Sequence, residues 1–232
     1  MQRTTPTGTA SISPLDPTVF ASYETFVAAR PPGADEDVHM LPAVVDHVIE
    51  RCTRPGDLVL DPFAGFGTTL ARGVALGRAS VGVELLPERV EHIRRQVPAA
   101  QVVEGDALDL LGVLEGVVEP GAVDLVLTSP PYMTANDHPD DPLTGYEEAG
   151  GDYDRYLQQL GDVAAHCARL LAPGGYLVWN VADIEHAGST TRLIRDCAEV
   201  LATHLTPVGI TRIEWDRLPH DLVADALLAL RR

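Results

Sequence analysis

The sequence contains no lysine: all 17 basic residues are arginine, set against 34 aspartates and glutamates, for a formal net charge of −17. The missing lysine excludes a phosphate loop ending in Gly-Lys-Ser/Thr. The charge argues against a broad grip on nucleic acid, because neutralising phosphates supplies most of the non-specific affinity. A nucleic-acid target would need a local arginine cluster or a partner; otherwise the substrate is not a long nucleic acid. Cysteine is scarce as well. Cys52, Cys167 and Cys197 are odd in number, far apart and without metal-ligand spacing, which predicts buried reduced thiols and no metal. No apolar run reaches the roughly 18 residues a membrane span needs. The N-terminus lacks a basic segment followed by an apolar stretch, so no signal peptide is read and a cytoplasmic protein is expected.

A chain of 232 residues suits one α/β domain with its own core. Residues 1 to about 16 are rich in Thr, Ser and Pro, and residues 1–32 read as an N-terminal arm, partly mobile, with a short helix from Pro17 to Ala29. The main domain is expected over 33–232. Leu41, Val44, Val45, Val48 and Ile49 fall at helical spacing and predict a helix over about 40–53. A strand then ends at Asp61, a helix follows from Thr68, and a second strand ends at Glu84. Pro87 opens the next helix, and a third strand leads to Gly105-Asp106. A fourth strand, Val123 to Leu127, runs into Thr128-Ser129-Pro130-Pro131-Tyr132. After a polar loop over about 133–151 come a helix (152–171), a strand (176–181), a helix (189–203), a strand (208–215) and a terminal helix (219–231). Strands alternating with helices predict an α/β fold with a doubly wound, mostly parallel sheet. In such sheets ligands sit at the carboxyl ends of strands, where Asp61, Glu84, Asp106 and Ser129 all fall.

The segment Asp61-Pro62-Phe63-Ala64-Gly65-Phe66-Gly67-Thr68-Thr69 joins a strand to a helix. Gly65 and Gly67 let the backbone turn tightly and approach a ligand. The helix start can hold a carboxylate or phosphate on its free N–H groups. A dinucleotide fingerprint needs a third glycine where Leu70 stands. Glu84 could accept both hydroxyls of a ribose, and Asp106 an adenine amine, although each acid could equally be a helix-entry residue. S-adenosylmethionine has an ammonium, a carboxylate, a ribose and an adenine in the matching order.

In the Ser129 to Tyr132 turn, two prolines fix φ and remove two N–H donors, so the turn is stiff and its carbonyls are free to accept. A conjugated amine is a poor nucleophile because its lone pair is delocalised. Two acceptors, the Ser129 hydroxyl and a turn carbonyl, could hold its two N–H bonds and aim the lone pair at a methyl donor. Tyr132 could stack on a base, worth about 1–3 kcal/mol. A purely structural Pro-Pro turn is the alternative.

These two segments resemble the motifs of the S-adenosylmethionine-dependent amino-methyltransferases that act on cytosine N4 or adenine N6 of DNA. His39-Met40-Leu41-Pro42, Val178 to Asp183 and Ile213 to Arg217 resemble further segments of that family, so the likeness runs from about 39 to 217. The resemblance implies the Rossmann-like class I methyltransferase fold. It implies cofactor binding by His39, Asp61, Phe63, Ala64, Gly65, Gly67, Thr68, Thr69, Glu84, Asp106, Ala107 and Thr128. It implies catalysis by Ser129, Pro130, Pro131 and Tyr132, and the serine form points to N4-cytosine ahead of N6-adenine. The loop at 133–151 holds Asp137, Asp140, Asp141, Glu147 and Glu148 and no basic residue, and reads as a solvated loop or a substrate lid. Only one strand is legible after residue 205, so either the last strand of the usual antiparallel pair is missing or the arm supplies it. RNA or a nucleoside-like small molecule remains the alternative substrate, and a non-catalytic cofactor-binding module the alternative class. A second subunit, a partner or another copy of the chain, is an open source of target recognition.

Overall fold

In the computed structural model, residues 13–32, 34, 39–132 and 152–232 are described, so the arm before residue 13 and the loop at 133–151 lie outside the described residues. The described residues form one nine-stranded sheet. Its strands are β1 (Thr18–Ala21), β2 (Leu58–Asp61), β3 (Ala79–Glu84), β4 (Gln101–Glu104), β5 (Val123–Thr128), β6 (Leu171–His186), β7 (Ser189–Thr191), β8 (Thr206–Trp215) and β9 (Leu222–Arg231). Across the sheet the order is β1-β8-β9-β6-β5-β2-β3-β4, with β7 hairpinned onto β6. Pairing is parallel except where β9 runs against β6 and β8, and β7 against β6. The strand order reverses beside β2, between β3 and β5, which is where a doubly wound sheet opens a ligand crevice.

Among the described residues seven α-helices cover this sheet: α1 (Tyr23–Ala28), α2 (Pro42–Cys52), α3 (Thr68–Ala75), α4 (Pro87–Gln96), α5 (Leu110–Val113), α6 (Tyr153–Leu170) and α7 (Leu193–Leu201). Their starts follow from local chemistry. Pro42 and Pro87 occupy first-turn positions. The Asp152 carboxylate accepts from the N–H groups of Asp154 and Arg155 and caps α6. The strands bury both faces in alternation. Val126, Leu177, Trp179, Leu228 and Leu230 pack with α5, α6 and α7, whereas Leu125, Leu127, Val178, Leu227 and Ala229 pack with α1 and α2. Among the described residues no helix is long and apolar enough to cross a membrane.

Three expectations require correction. The segment read as a helix over 219–231 is β9. It lies between β6 and β8 and is buried on both faces from Asp225 to Leu230, so its apolar run carries no alternation to separate it from a buried helix. The antiparallel pair is therefore complete. The helix read over 17–29 divides into β1, paired with β8 as a parallel edge strand, and α1; tertiary pairing overrides local propensity there. The helix read from 189 begins only at Leu193, because Ala187 and Gly188, both at positive φ, turn β6 back into β7.

If β9 is a central strand, Leu228→Ala removes a side chain that is 1% exposed. The expected loss is about 2–5 kcal/mol, read as a lower urea midpoint at unchanged slope. A loss below about 0.5 kcal/mol, the range of a surface position, would contradict the placement.

Candidate active site

The first part of the site is the turn between β2 and α3. Asp61, at the end of β2, is 2% exposed and accepts hydrogen bonds from Thr128 Oγ1 at 2.5 Å and the Phe63 N–H at 3.1 Å. Burial pushes its carboxyl up to about 6, against these hydrogen bonds. Ala64 N–H donates to the Val83 carbonyl at 2.9 Å, tying the turn to β3. Gly67 sits at φ +85°, and a Cβ there would lie 2.9 Å from the Ile93 side chain, so only glycine fits. The first i→i−4 bond of α3 is Ala71 N–H to the Gly67 carbonyl, and no side chain caps the helix. The N–H groups of Thr68, Thr69 and Leu70 thus have no partner within the helix, which suits an anion.

Glu84 ends β3 and closes the turn from the other side. Its two carboxylate oxygens accept from Gly65 N–H at 2.7 Å and Leu86 N–H at 3.0 Å. Burial raises its pKa, and the same hydrogen bonds oppose the rise. Gly105 N–H donates to the Glu84 carbonyl at 3.0 Å, which places Asp106 one residue beyond. Asp106 is exposed and its Oδ1 caps a single 3₁₀ turn at Leu108, while the neighbouring Ala107 is buried. Both acids therefore act as turn and helix-entry residues while remaining at adjacent strand ends.

The second part is the turn after β5. Thr128 is fully buried, and its bond to Asp61 joins this turn to the first. The Ser129 hydroxyl donates to the Tyr132 hydroxyl at 3.2 Å, and Tyr132 donates to the Asn180 carbonyl at 3.3 Å. The Tyr132 ring packs against the core on the α6 and α7 face. Burial, and then the charge of Asp225, push its phenol well above the usual range. Tyr156 of α6 donates to the Pro131 carbonyl at 3.1 Å and so holds the turn from behind. That leaves the Ser129 hydroxyl oxygen and the carbonyls of Ser129 and Pro130 as acceptors of the turn able to take the N–H bonds of an amine.

The predicted residues Asp61, Phe63, Ala64, Gly65, Gly67, Glu84 and Thr128 thus form one bonded unit, with Ser129 and Tyr132 attached through Thr128. His39 belongs to another cluster. Its ring stacks on Phe26 at 4.4 Å, and Phe26 meets Trp215 edge-on at 5.4 Å. Tyr156 and Asp225 were not singled out from the sequence, and Asn180 and Trp215 entered only as members of the family-like segments Val178 to Asp183 and Ile213 to Arg217. Asp225 accepts from Asn180 Nδ2 at 2.6 Å and from Trp215 Nε1 at 2.8 Å. A lone acid inside the apolar run of β9 and a lone amide inside β6 were the available signals. Among the described residues no group of three or more His, Cys, Asp or Glu is placed to hold a metal ion. Burial pushes the Cys52 and Cys197 thiols up to about 12, which leaves them unreactive.

Comparison with known proteins agrees with this geometry. The chain matches the DNA methylase family (N6_N4_Mtase) over residues 41–95 and 123–215, which include both turns. It is 36% identical over 135 residues to a 4-amino-L-phenylalanine/4-methylamino-L-phenylalanine methyltransferase of Streptomyces pristinaespiralis, covering 52% of this chain and 42% of that enzyme. It is 36% identical to the DNA adenine methyltransferase YhdJ of Escherichia coli, covering 28% of this chain and 22% of that enzyme. The chain thus spans less than half the length of these curated relatives. A solved TehB-like SAM-dependent methyltransferase of Corynebacterium glutamicum shares the fold at a TM-score of 0.54 and 16% identity, over 80% of this chain and 85% of that one. The chain belongs to the DNA methylase family of S-adenosylmethionine-dependent amino-methyltransferases and has the class I methyltransferase fold.

Proposed function

We propose that this protein transfers the methyl group of S-adenosylmethionine to an exocyclic amine of a nucleobase, in DNA first, and to cytosine N4 ahead of adenine N6. The Thr128–Asp61 hydrogen bond is the observation that carries this reading, because it sets the amine-holding turn directly against the cofactor turn. The donor set fits the cofactor. The buried Asp61 carboxylate suits its ammonium, the uncapped start of α3 its carboxylate, Glu84 its ribose hydroxyls and Asp106 its adenine. S-adenosylmethionine supplies an electrophilic methyl group on a sulfonium. The protein's own part is positioning. The Ser129 oxygen and the Pro130 carbonyl each accept one N–H of the amine, which favours a pyramidal nitrogen and aims its lone pair. With the cofactor bound, its methyl would pass from sulfur to the nitrogen so held, and the extra proton on nitrogen would leave to water.

A second reading keeps this chemistry and changes the acceptor to RNA or to a small nucleoside-like or aryl amine. The net charge of −17, with no lysine, favours it. So does the relative from Streptomyces pristinaespiralis, named for a small aromatic amine. The deciding experiment offers duplex DNA, bulk RNA, cytidine, adenosine and 4-aminophenylalanine to the protein with methyl-labelled S-adenosylmethionine at low salt. Label in DNA identified as N4-methylcytosine supports the first reading. Label confined to RNA or small molecules moves the assignment to the second. Cofactor binding without label in any acceptor contradicts both.

In the same assay Ser129→Ala should lower kcat by about 100-fold or more while cofactor affinity stays within about two-fold. Equal loss of cofactor binding would show a collapsed site instead. A pH dependence follows from Asp61. Its carboxyl titrates near 6 in the folded protein, above the roughly 3.9 of an unfolded aspartate. Its contribution to folding is therefore full below about pH 4 and is lost as pH rises through about 6, whereas an ammonium ligand requires the ionised form. S-adenosylmethionine affinity should fall about four-fold from pH 7.5 to 5.5, where about a quarter of Asp61 is ionised. Asp61→Asn should weaken binding at pH 7.5 and flatten this dependence in calorimetric titrations; an unchanged slope would show that another group is responsible.

A further inference from the structure

Behind the catalytic turn lies a line of hydrogen bonds that the transfer reaction does not itself require. It runs from Ser129 through Tyr132 and Asn180 to Asp225 and Trp215, and so joins the turn to β6, β9 and β8 at the carboxyl edge of the sheet. β5 pairs with β6 as far as Thr128 opposite Trp179, which makes Asn180 the first residue of β6 beyond that ladder. Tyr132 reaches across this gap to the Asn180 carbonyl. The Asn180 side chain points the other way, donating to Asp225 at 2.6 Å and to the Ala226 carbonyl at 3.2 Å.

We propose that Tyr132 and Asp225 are positioning residues, whose hydrogen bonds turn the Ser129 hydroxyl so that its lone pairs, not its proton, face the substrate amine. The inference rests on the reading that Ser129 holds that amine. Its logic is the valence of each group. A backbone carbonyl only accepts, so the contact between Tyr132 and Asn180 commits the Tyr132 proton to the carbonyl. The Tyr132 oxygen is then an acceptor, and the Ser129 proton goes to it at 3.2 Å. What remains on Ser129 is acceptor capacity, the property an N–H donor requires. A freely rotating hydroxyl would spend part of its time pointing its proton at the amine and repelling it.

The far end of the line holds the geometry. Asp225 is 7% exposed and Asn180 8% exposed, and the two oxygens of Asp225 are bonded by donors from different strands, Asn180 on β6 and Trp215 on β8. The carboxylate thereby fixes the Asn180 amide and, with it, the backbone carbonyl that receives Tyr132. Burial raises the Asp225 carboxyl to about 6, which leaves it largely ionised and acceptor-only at neutral pH. Tyr132, raised by burial and by this same charge, stays a donor throughout the working range.

The test separates the hydroxyl of Tyr132 from its ring. Methyl transfer to duplex DNA, cytidine, adenosine and 4-aminophenylalanine is measured for the wild type, Tyr132→Phe, Asp225→Asn, the double variant and Ser129→Ala, with S-adenosylmethionine affinity and melting temperature alongside. Tyr132→Phe keeps the ring that could stack on a substrate. It should lower kcat by about 10- to 100-fold and leave KM and cofactor affinity within about two-fold. Asp225→Asn should also lower kcat, and the double variant should be no slower than Tyr132→Phe, because both act on one hydroxyl. Wild-type kcat in Tyr132→Phe, or losses that multiply in the double variant, would overturn the proposal while Ser129→Ala still reports the amine-holding role. Transfer that survives Ser129→Ala, or is absent from the cofactor-bound wild type, would overturn that underlying reading and this inference with it.

Discussion

A single hydrogen bond, from the Thr128 hydroxyl to the Asp61 carboxylate, joins the two halves of the site. Both residues are the last of parallel strands, β2 and β5, that are direct neighbours in the sheet. A carboxylate buried to 2% exposure is costly unless it is well partnered, and its raised pKa records that cost. Thr128 and the Phe63 N–H offset part of it, and a cofactor ammonium would offset more. The same bond aligns β5 so that the next residue, Ser129, leaves the sheet beside the turn between β2 and α3.

The residues at strand ends were legible because parallel topology concentrates ligand chemistry there. Asp61, Glu84, Asp106 and Ser129 each followed a short apolar run, and glycine and proline spacing marked both turns. The finer geometry of the cofactor half was less legible. Glu84 and Asp106 both spend hydrogen-bonding capacity on backbone N–H groups, at Leu86 and Leu108 in the helix-entry role that the sequence left open for each, and Glu84 also at Gly65 in the neighbouring turn. A carboxylate oxygen has more than one lone pair to give, so these bonds leave acceptor capacity on both acids.

The support behind the turn was not legible, for two physical reasons. β9 is buried on both faces, so its residues show no alternation, and a strand read as a helix hides which of its side chains point at the site. The contacts themselves join residues distant in sequence, Tyr132 to Asn180 and Asn180 to Asp225, that meet only once the sheet order is known. Asp225 in an apolar run was a visible anomaly without an assignable partner. The place of His39 in the chain resembles a cofactor-closing segment, and the fold seats its ring on Phe26, in a cluster that reaches Trp215 and hence the far end of the positioning line.

Calorimetric binding of S-adenosylhomocysteine to the wild type, Asp61→Asn, Thr128→Val and the double variant tests directly whether Asp61 and Thr128 act as one unit toward the cofactor. Strong coupling is expected, with the loss in the double variant smaller than the sum of the single losses by about 1 kcal/mol or more. Losses that add within about 0.3–0.5 kcal/mol would show that the two residues act independently, and would contradict the joined site on which the rest of the interpretation depends.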